Sequence, residues 1–148
     1  MVLEKMVAEK KIIEKIDEWT RIPSFDSYML NMMKLEYVDF DRHILRMSII
    51  VPEKFCNQML TLHGGIMTTL IDIVSTIVVT TYDIDNLVPG WSVDMSMSFS
   101  TPILKGDKIL IESHLYKIGK SLAFTESTIY DSNSQVCSLV FCKGLVLV

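Results

Sequence analysis

From Trp91 to Ser100 the chain alternates without a break. Trp91, Val93, Met95, Met97 and Phe99 are apolar, and Ser92, Asp94, Ser96, Ser98 and Ser100 are polar. A period of two predicts a β-strand, ended by Thr101-Pro102. The opposite regime holds between Gly64 and Tyr82. There Ile66, Met67, Leu70, Ile71, Ile73, Val74, Ile77, Val78 and Val79 leave little polar face. A helix apolar nearly all round is wrapped by other structure. Residues 3–19 read as a more ordinary amphipathic helix, with Leu3, Met6, Val7, Ile13, Ile16 and Trp19 mostly on one face. Ile22-Pro23 closes it, because a residue before proline is pushed out of the α region.

An irregular link follows the proline. Strands are then expected at Met32–Tyr37 and Ile44–Val51 around the turn-prone Asp39–Arg42. Lys108–Ile118 follows the turn Lys105-Gly106-Asp107, and Leu122–Tyr130 follows the tight hairpin candidate Gly119-Lys120. After a turn at Asp131–Ser134, Val136–Val148 reads as a long final strand. Helices and strands do not alternate, and short links are expected to force antiparallel neighbours. The expected class is therefore α+β, with a curved antiparallel sheet of five to six strands around one long central helix. The 148 residues suit a single domain, 1–148, carrying an N-terminal helix at about 3–19.

Composition narrows the function classes. Apolar residues make up 49% and charged residues 22%, with 6 Gly and 4 Pro, which is globular and not low-complexity. A net charge of −4 with no run of Lys or Arg argues against a nucleic-acid partner. Cys56, Cys137 and Cys142 form no C-x-x-C and read as reduced thiols in the cytoplasm or an organelle matrix. Leu62–Thr81 is twenty residues with one formal charge, close to a bilayer span. Asp72 would then sit mid-membrane at a cost of roughly 2.5–3.5 kcal/mol, so the segment is read as buried in protein.

Candidate chemistry gathers at two places on the central helix. His63-Gly64-Gly65 opens it, where amides lack intrahelical partners and the dipole adds about half a positive charge. Such an end suits an anion or a developing oxyanion. Equally, the glycines can simply let the turn pack closely, with His63 structural. Asp72 is a carboxylate amid apolar neighbours, costly without a partner or a task. Eight residues separate it from Gly64, about 12 Å along the axis, too far to share one reacting carbon. If both act, the second comes from another copy, most simply across a twofold axis. Ser92 is a weak signal alone. No metal-ligand spacing, P-loop, dinucleotide fingerprint or G-x-S-x-G occurs, so no metal or bound cofactor is expected.

LHGGIMTTLIDIVST, SVDMSMSFSTP, LKGD and GKSLAFTE together resemble the hotdog-fold acyl-CoA thioesterases, notably the phenylacetate-pathway and acyl-coenzyme A thioesterase 13 types. The likeness covers about residues 45–143. It implies that Asn57 and the Gly64 amide polarise a thioester carbonyl, with His63 shaping the turn. Asp72 of a facing subunit would act as base on water, and Ser92 would position that water. Coenzyme A, part of the substrate and not a cofactor, would touch Ser92, Asp94, Phe99 and the hairpin of Lys117, Gly119, Lys120, Ser121 and Leu122. Phe99 stands where the family commonly has tyrosine, and the stretch between Asp72 and Ser92 looks two residues longer than in animal members. The resemblance also implies a homodimer or homotetramer.

The activity so implied is hydrolysis of an acyl-CoA to free acid and CoA. Two alternatives stand beside it: a hydratase or dehydratase of 2-enoyl thioesters that drafts His63, and a non-catalytic acyl-CoA-binding module.

Overall fold

The computed structural model describes residues 2–86 and 89–147, without the side chains of residues 2, 89, 140–143 and 145–147. Val148 and the Cys142 thiol therefore lie outside the described residues. The elements run α1 (Val2–Arg21), α2 (Phe25–Leu30), β1 (Lys34–Asp39), β2 (Ile44–Ile50), α3 (Gly64–Val79), β3 (Pro89–Phe99), β4 (Lys108–Ile118), β5 (Leu122–Tyr130) and β6 (Val136–Leu147). One antiparallel sheet of six strands, ordered β1-β2-β4-β5-β6-β3, holds α3 against one face.

α3 is the wrapped helix that its composition predicts. Met67, Leu70, Ile71, Ile73, Val74, Ile77, Val78 and Val79 are buried. They meet the inward residues of the sheet, among them Leu45, Met47, Ile49, Ile109, Ile111 and Ile129. Its hydroxyls are satisfied locally: Thr68, Thr69 and Thr76 donate to the carbonyls four residues back. The expected end at Tyr82 moves to Val79, because the Thr80, Thr81 and Tyr82 amides bond three residues back and tighten the last turn. Among the described residues no helix is long and apolar enough to cross a membrane.

Four other expectations are corrected. The link after Pro23 is not irregular: Ser24 and Ser27 form a capping box that starts α2. α1 buries Ile12 and Ile16, while Leu3, Met6, Val7 and Ile13 remain exposed, so its inward stripe is narrower than the pattern of apolar residues. β1 starts two residues later than expected and reaches Asp39, whose carboxylate accepts from the Asp41 and Arg42 amides and makes the turn. Finally, the short link from β3 to β4 does not pair them. Ser100 and Thr101 still donate to the Cys137 carbonyl of β6, and residues 103–107 then bond across to the 51–62 segment: the Leu62 amide donates to Ile103, the Lys105 amide to Leu60 and the Gly106 amide to Val51. β3 thus crosses to the far edge and pairs with β6 alone.

Two stability predictions arise here. Thr125 Oγ1 is buried beneath α3 with no hydrogen-bond partner, beside the satisfied pair Ser113–Ser127 at 2.7 Å. Thr125→Val removes that desolvated hydroxyl and is expected to stabilise by about 1 kcal/mol, read as a melting temperature several degrees higher. On the outer face, Glu36 accepts from Ser48 at 2.6 Å and from Lys108 at 3.0 Å. These bonds, the serine's first, hold its carboxyl down at about 2 from an ordinary 4.5. A depressed folded-state value contributes stability above pH 4.5 that is lost as pH falls towards 2. Glu36→Gln should therefore melt lower than the parent at pH 7, and the gap should close on acidification through that window.

Candidate active site

The start of α3 is built by a tight loop. Asn57 Oδ1 accepts from the Met59 and Thr61 amides at 2.9 and 3.2 Å, and its Nδ2 donates to Thr61 Oγ1 at 2.8 Å. Leu60 turns the corner at φ 59°, a conformation few non-glycine residues adopt. Bridges Cys56–Leu62 and Thr61–Leu104 brace the loop on both sides. The second Nδ2 hydrogen of Asn57 is not spent on Thr61.

His63 then caps the helix. Its Nδ1 accepts from the Gly65 amide at 2.9 Å, which places the proton of a neutral ring on Nε2. The Ile66 and Met67 amides donate to the His63 carbonyl. Among the described residues the Gly64 amide meets no acceptor. Gly64 is also where a ring comes close: a Cβ there would lie 3.4 Å from Phe99 Cζ. Asn57, Gly64 and Phe99 line one shallow groove of about 290 Å³ with Ser100 and Thr101.

A second cluster lies farther along. Ser92 Oγ donates to Asp72 Oδ1 at 2.6 Å. Strict alternation would put Ser92 on the face away from α3. Register irregularities on both sides of Ser92 and after Asp94 turn it towards the helix. Gly144 leaves room for Val93 here, since a Cβ there would come 2.9 Å from Val93 Cγ2. Asp72 is not fully desolvated, as its apolar sequence neighbours suggest; it is partly exposed. Successive helix residues point in different directions, and Asp72 faces a cleft whose walls include Trp19, Ile22, Leu30 and Ile73. The α1 and α2 walls of that cleft are the feature that reading the sequence misses. The capping-box serines were its only local signal.

The remaining candidates follow from the register. Asp94 lies opposite Gly144, which in turn lies opposite Phe124, so the exposed hairpin of Lys117, Gly119, Lys120, Ser121 and Leu122 sits at the Ser92 end of the sheet. Gly119 closes it by donating to the Leu122 carbonyl at 2.7 Å. Phe99 pairs with Ser138, at the opposite end of β3. Seven strand steps, about 23 Å, separate Ser92 from Phe99. Within one chain the structure therefore brings Asp72 to Ser92 and Gly64 to Phe99, but it keeps the two pairs apart. Among the described residues no group of three His, Cys, Asp or Glu side chains is placed to hold a metal.

β3 itself is an open edge eleven residues long. Trp91, Val93 and Phe99, the apolar residues of the cleanest alternation in the chain, are 65%, 53% and 54% exposed. A long apolar edge of this kind is a template for another strand.

Comparison with known proteins gives the family and the fold. Residues 59–138 match the family described as Thioesterase superfamily. Mouse acyl-coenzyme A thioesterase 13 is 36% identical over 104 residues, covering 70% of this chain and 71% of that protein. The crystal structure of mouse thioesterase superfamily member 2 superposes with a TM-score of 0.73 at 26% identity, over 90% of this chain and 93% of that one. Zebra fish thioesterase superfamily member 2 reaches 0.80 at 24% identity, over 91% and 94%. The expected hotdog arrangement of sheet around helix is the one observed.

Proposed function

Because the chain belongs to the thioesterase superfamily, we propose that it hydrolyses acyl-CoA thioesters to free acid and CoA in a site shared by two copies. The observation that carries this reading is the 2.6 Å Ser92–Asp72 bond on the wall of a cleft, on the same helix that presents the Gly64 amide. Attack on a thioester carbon places negative charge on its oxygen. The Gly64 amide, aided by the dipole of α3 and the second Asn57 hydrogen, would meet that charge as it develops. Asp72 would take the proton of the attacking water. Ser92 holds the carboxylate in place through Oδ1. Water attack needs no covalent intermediate.

The open β3 edge supports a shared site. Two β3 edges meeting antiparallel across a twofold axis would bring the Ser92 end of one strand towards the Phe99 end of the other. Asp72 and Ser92 of one copy would then face Gly64, Asn57 and Phe99 of its neighbour. The pairing would also cover Trp91, Val93 and Phe99. Lys117 and Lys120 would meet the phosphates or nucleotide of CoA, with Asp94, Ser121 and Leu122 alongside. A pair of such dimers forming a tetramer is compatible with this arrangement. The free thiols of Cys56 and Cys137 suit a reducing compartment, cytoplasm or organelle matrix.

A hydratase would need His63 as its base, but the cap already occupies Nδ1. Release of CoA thiol from acyl-CoAs by the purified chain tests the proposal. Tight acyl-CoA binding without thiol release would overturn it in favour of a binding module.

A further inference from the structure

Most of the walls of the cleft beside Asp72 come from the chain ahead of residues 59–138, the stretch that matches the family. The last turn of α1 contributes Trp19, the exit before Pro23 contributes Ile22, α2 contributes Leu30, and α3 closes it with Ile73. Leu30 and Ile73, at 2% and 5% exposure, form its buried floor, while Ile22 stands exposed at the mouth. The cleft has a volume of about 180 Å³. Its polar lining includes a second carboxylate, Asp26, besides Asp72.

We propose that this cleft receives the acyl tail, and that the α1–α2 joint selects a compact uncharged acyl group, linear or ring-bearing. Long chains and acyl groups ending in a carboxylate would be disfavoured. The inference rests on the hydrolytic reading above, in which Asp72 faces the reacting carbon. If the carbonyl lies against water held by Asp72, the first tail carbons emerge beside that residue, where this cleft offers them the apolar side chains of Trp19, Ile22, Leu30 and Ile73. An apolar cavity of roughly 150 Å³ accepts a benzene-sized guest, so the space here admits a ring or a short chain of similar bulk. The floor of Leu30 and Ile73 stops a longer one. A terminal carboxylate would meet two like charges, the exposed Asp26 and the half-buried Asp72.

Thiol release by the full chain is measured with acetyl-, hexanoyl-, palmitoyl- and succinyl-CoA. The parent is expected to favour hexanoyl over palmitoyl and succinyl by at least about tenfold in kcat/KM. Trp19→Ala opens the wall and should raise the palmitoyl-to-hexanoyl ratio at least about tenfold. Ile22→Trp narrows the mouth and should lower the hexanoyl-to-acetyl ratio by a similar factor of about ten. Asp26→Asn should narrow the succinyl deficit. Ile22 and Asp26 are exposed, so their variants remain informative if Trp19→Ala does not fold. Ratios within about twofold of the parent in the folded variants overturn the inference. The same proteins are titrated with non-hydrolysable hexanoyl- and acetyl-CoA thioethers. Tail-selective binding that Ile22→Trp abolishes, in a chain that releases no thiol, would overturn the hydrolytic reading and leave the tail site standing.

Discussion

Asp72→Asn is expected to lower kcat for thiol release by about 10²–10⁴, the span over which a positioned general base contributes. The substitution is close to isosteric, and an asparagine Oδ1 still accepts from Ser92. The bulge that turns Ser92 inward and the packing of α3 around Ile71 and Ile73 should both persist. What the variant loses is the capacity to accept a proton. KM should change little, since the carboxylate is not assigned to the CoA moiety. Matching melting temperatures and sedimentation profiles of parent and variant establish that the fold is retained. A folded Asp72→Asn protein working at the parental rate would remove the base from the mechanism. Ser92→Ala should act in the same direction by a smaller factor, about tenfold, because it loosens the carboxylate without deleting it.

Mixing two inactive variants should restore activity. Asn57→Ala removes a donor from the carbonyl side, with an expected loss of about 10²–10³. Asp72→Asn removes the base. If each site takes Gly64 and Asn57 from one copy and Asp72 from the other, a mixed dimer carries one site with both lesions and one with neither. Random reassembly of equal amounts after mild dissociation then regains about a quarter of parental activity. If the site is contained in one chain, mixing regains nothing. The expectation follows from two lengths: about 12 Å along α3 from Gly64 to Asp72, and about 23 Å along β3 from Phe99 to Ser92. Neither can be closed within a rigid helix and a paired strand. Trp91→Asp, placed on the open edge, should weaken self-association and reduce activity in parallel, measured by sedimentation velocity against enzyme concentration.

Much of this architecture is legible residue by residue. The unbroken apolar run of α3 announces a helix that must be covered, and the sheet covers it. The alternation in β3 and the glycine-marked hairpin at Gly119 announce strands, and the strands are there. Asp72 stands out because a lone carboxylate in such a run needs a reason. Pairing across long separations was hidden. β3 and β4 are neighbours in sequence, yet β3 joins β6, because residues 103–107 make their backbone bonds to the 51–62 segment. The facing of Ser92 was hidden as well, since a bulge depends on the partner strand and leaves no mark in a period-two count.

The sequence by itself determined most of the stretches that form helix and strand, α2 excepted, that one helix lies inside, and that its two chemical groups are too far apart to act together. Those follow from local periodicity and fixed rises per residue. Only the tertiary structure decided that Ser92 meets Asp72, that His63 spends its ring nitrogen on Gly65, that the cleanest strand is an uncovered edge, and that α1 and α2 wall the cleft beside Asp72. Each of these is a contact between residues distant in sequence or a hydrogen bond set by side-chain orientation. The free energy that selects them comes from packing the whole chain, not from any one segment.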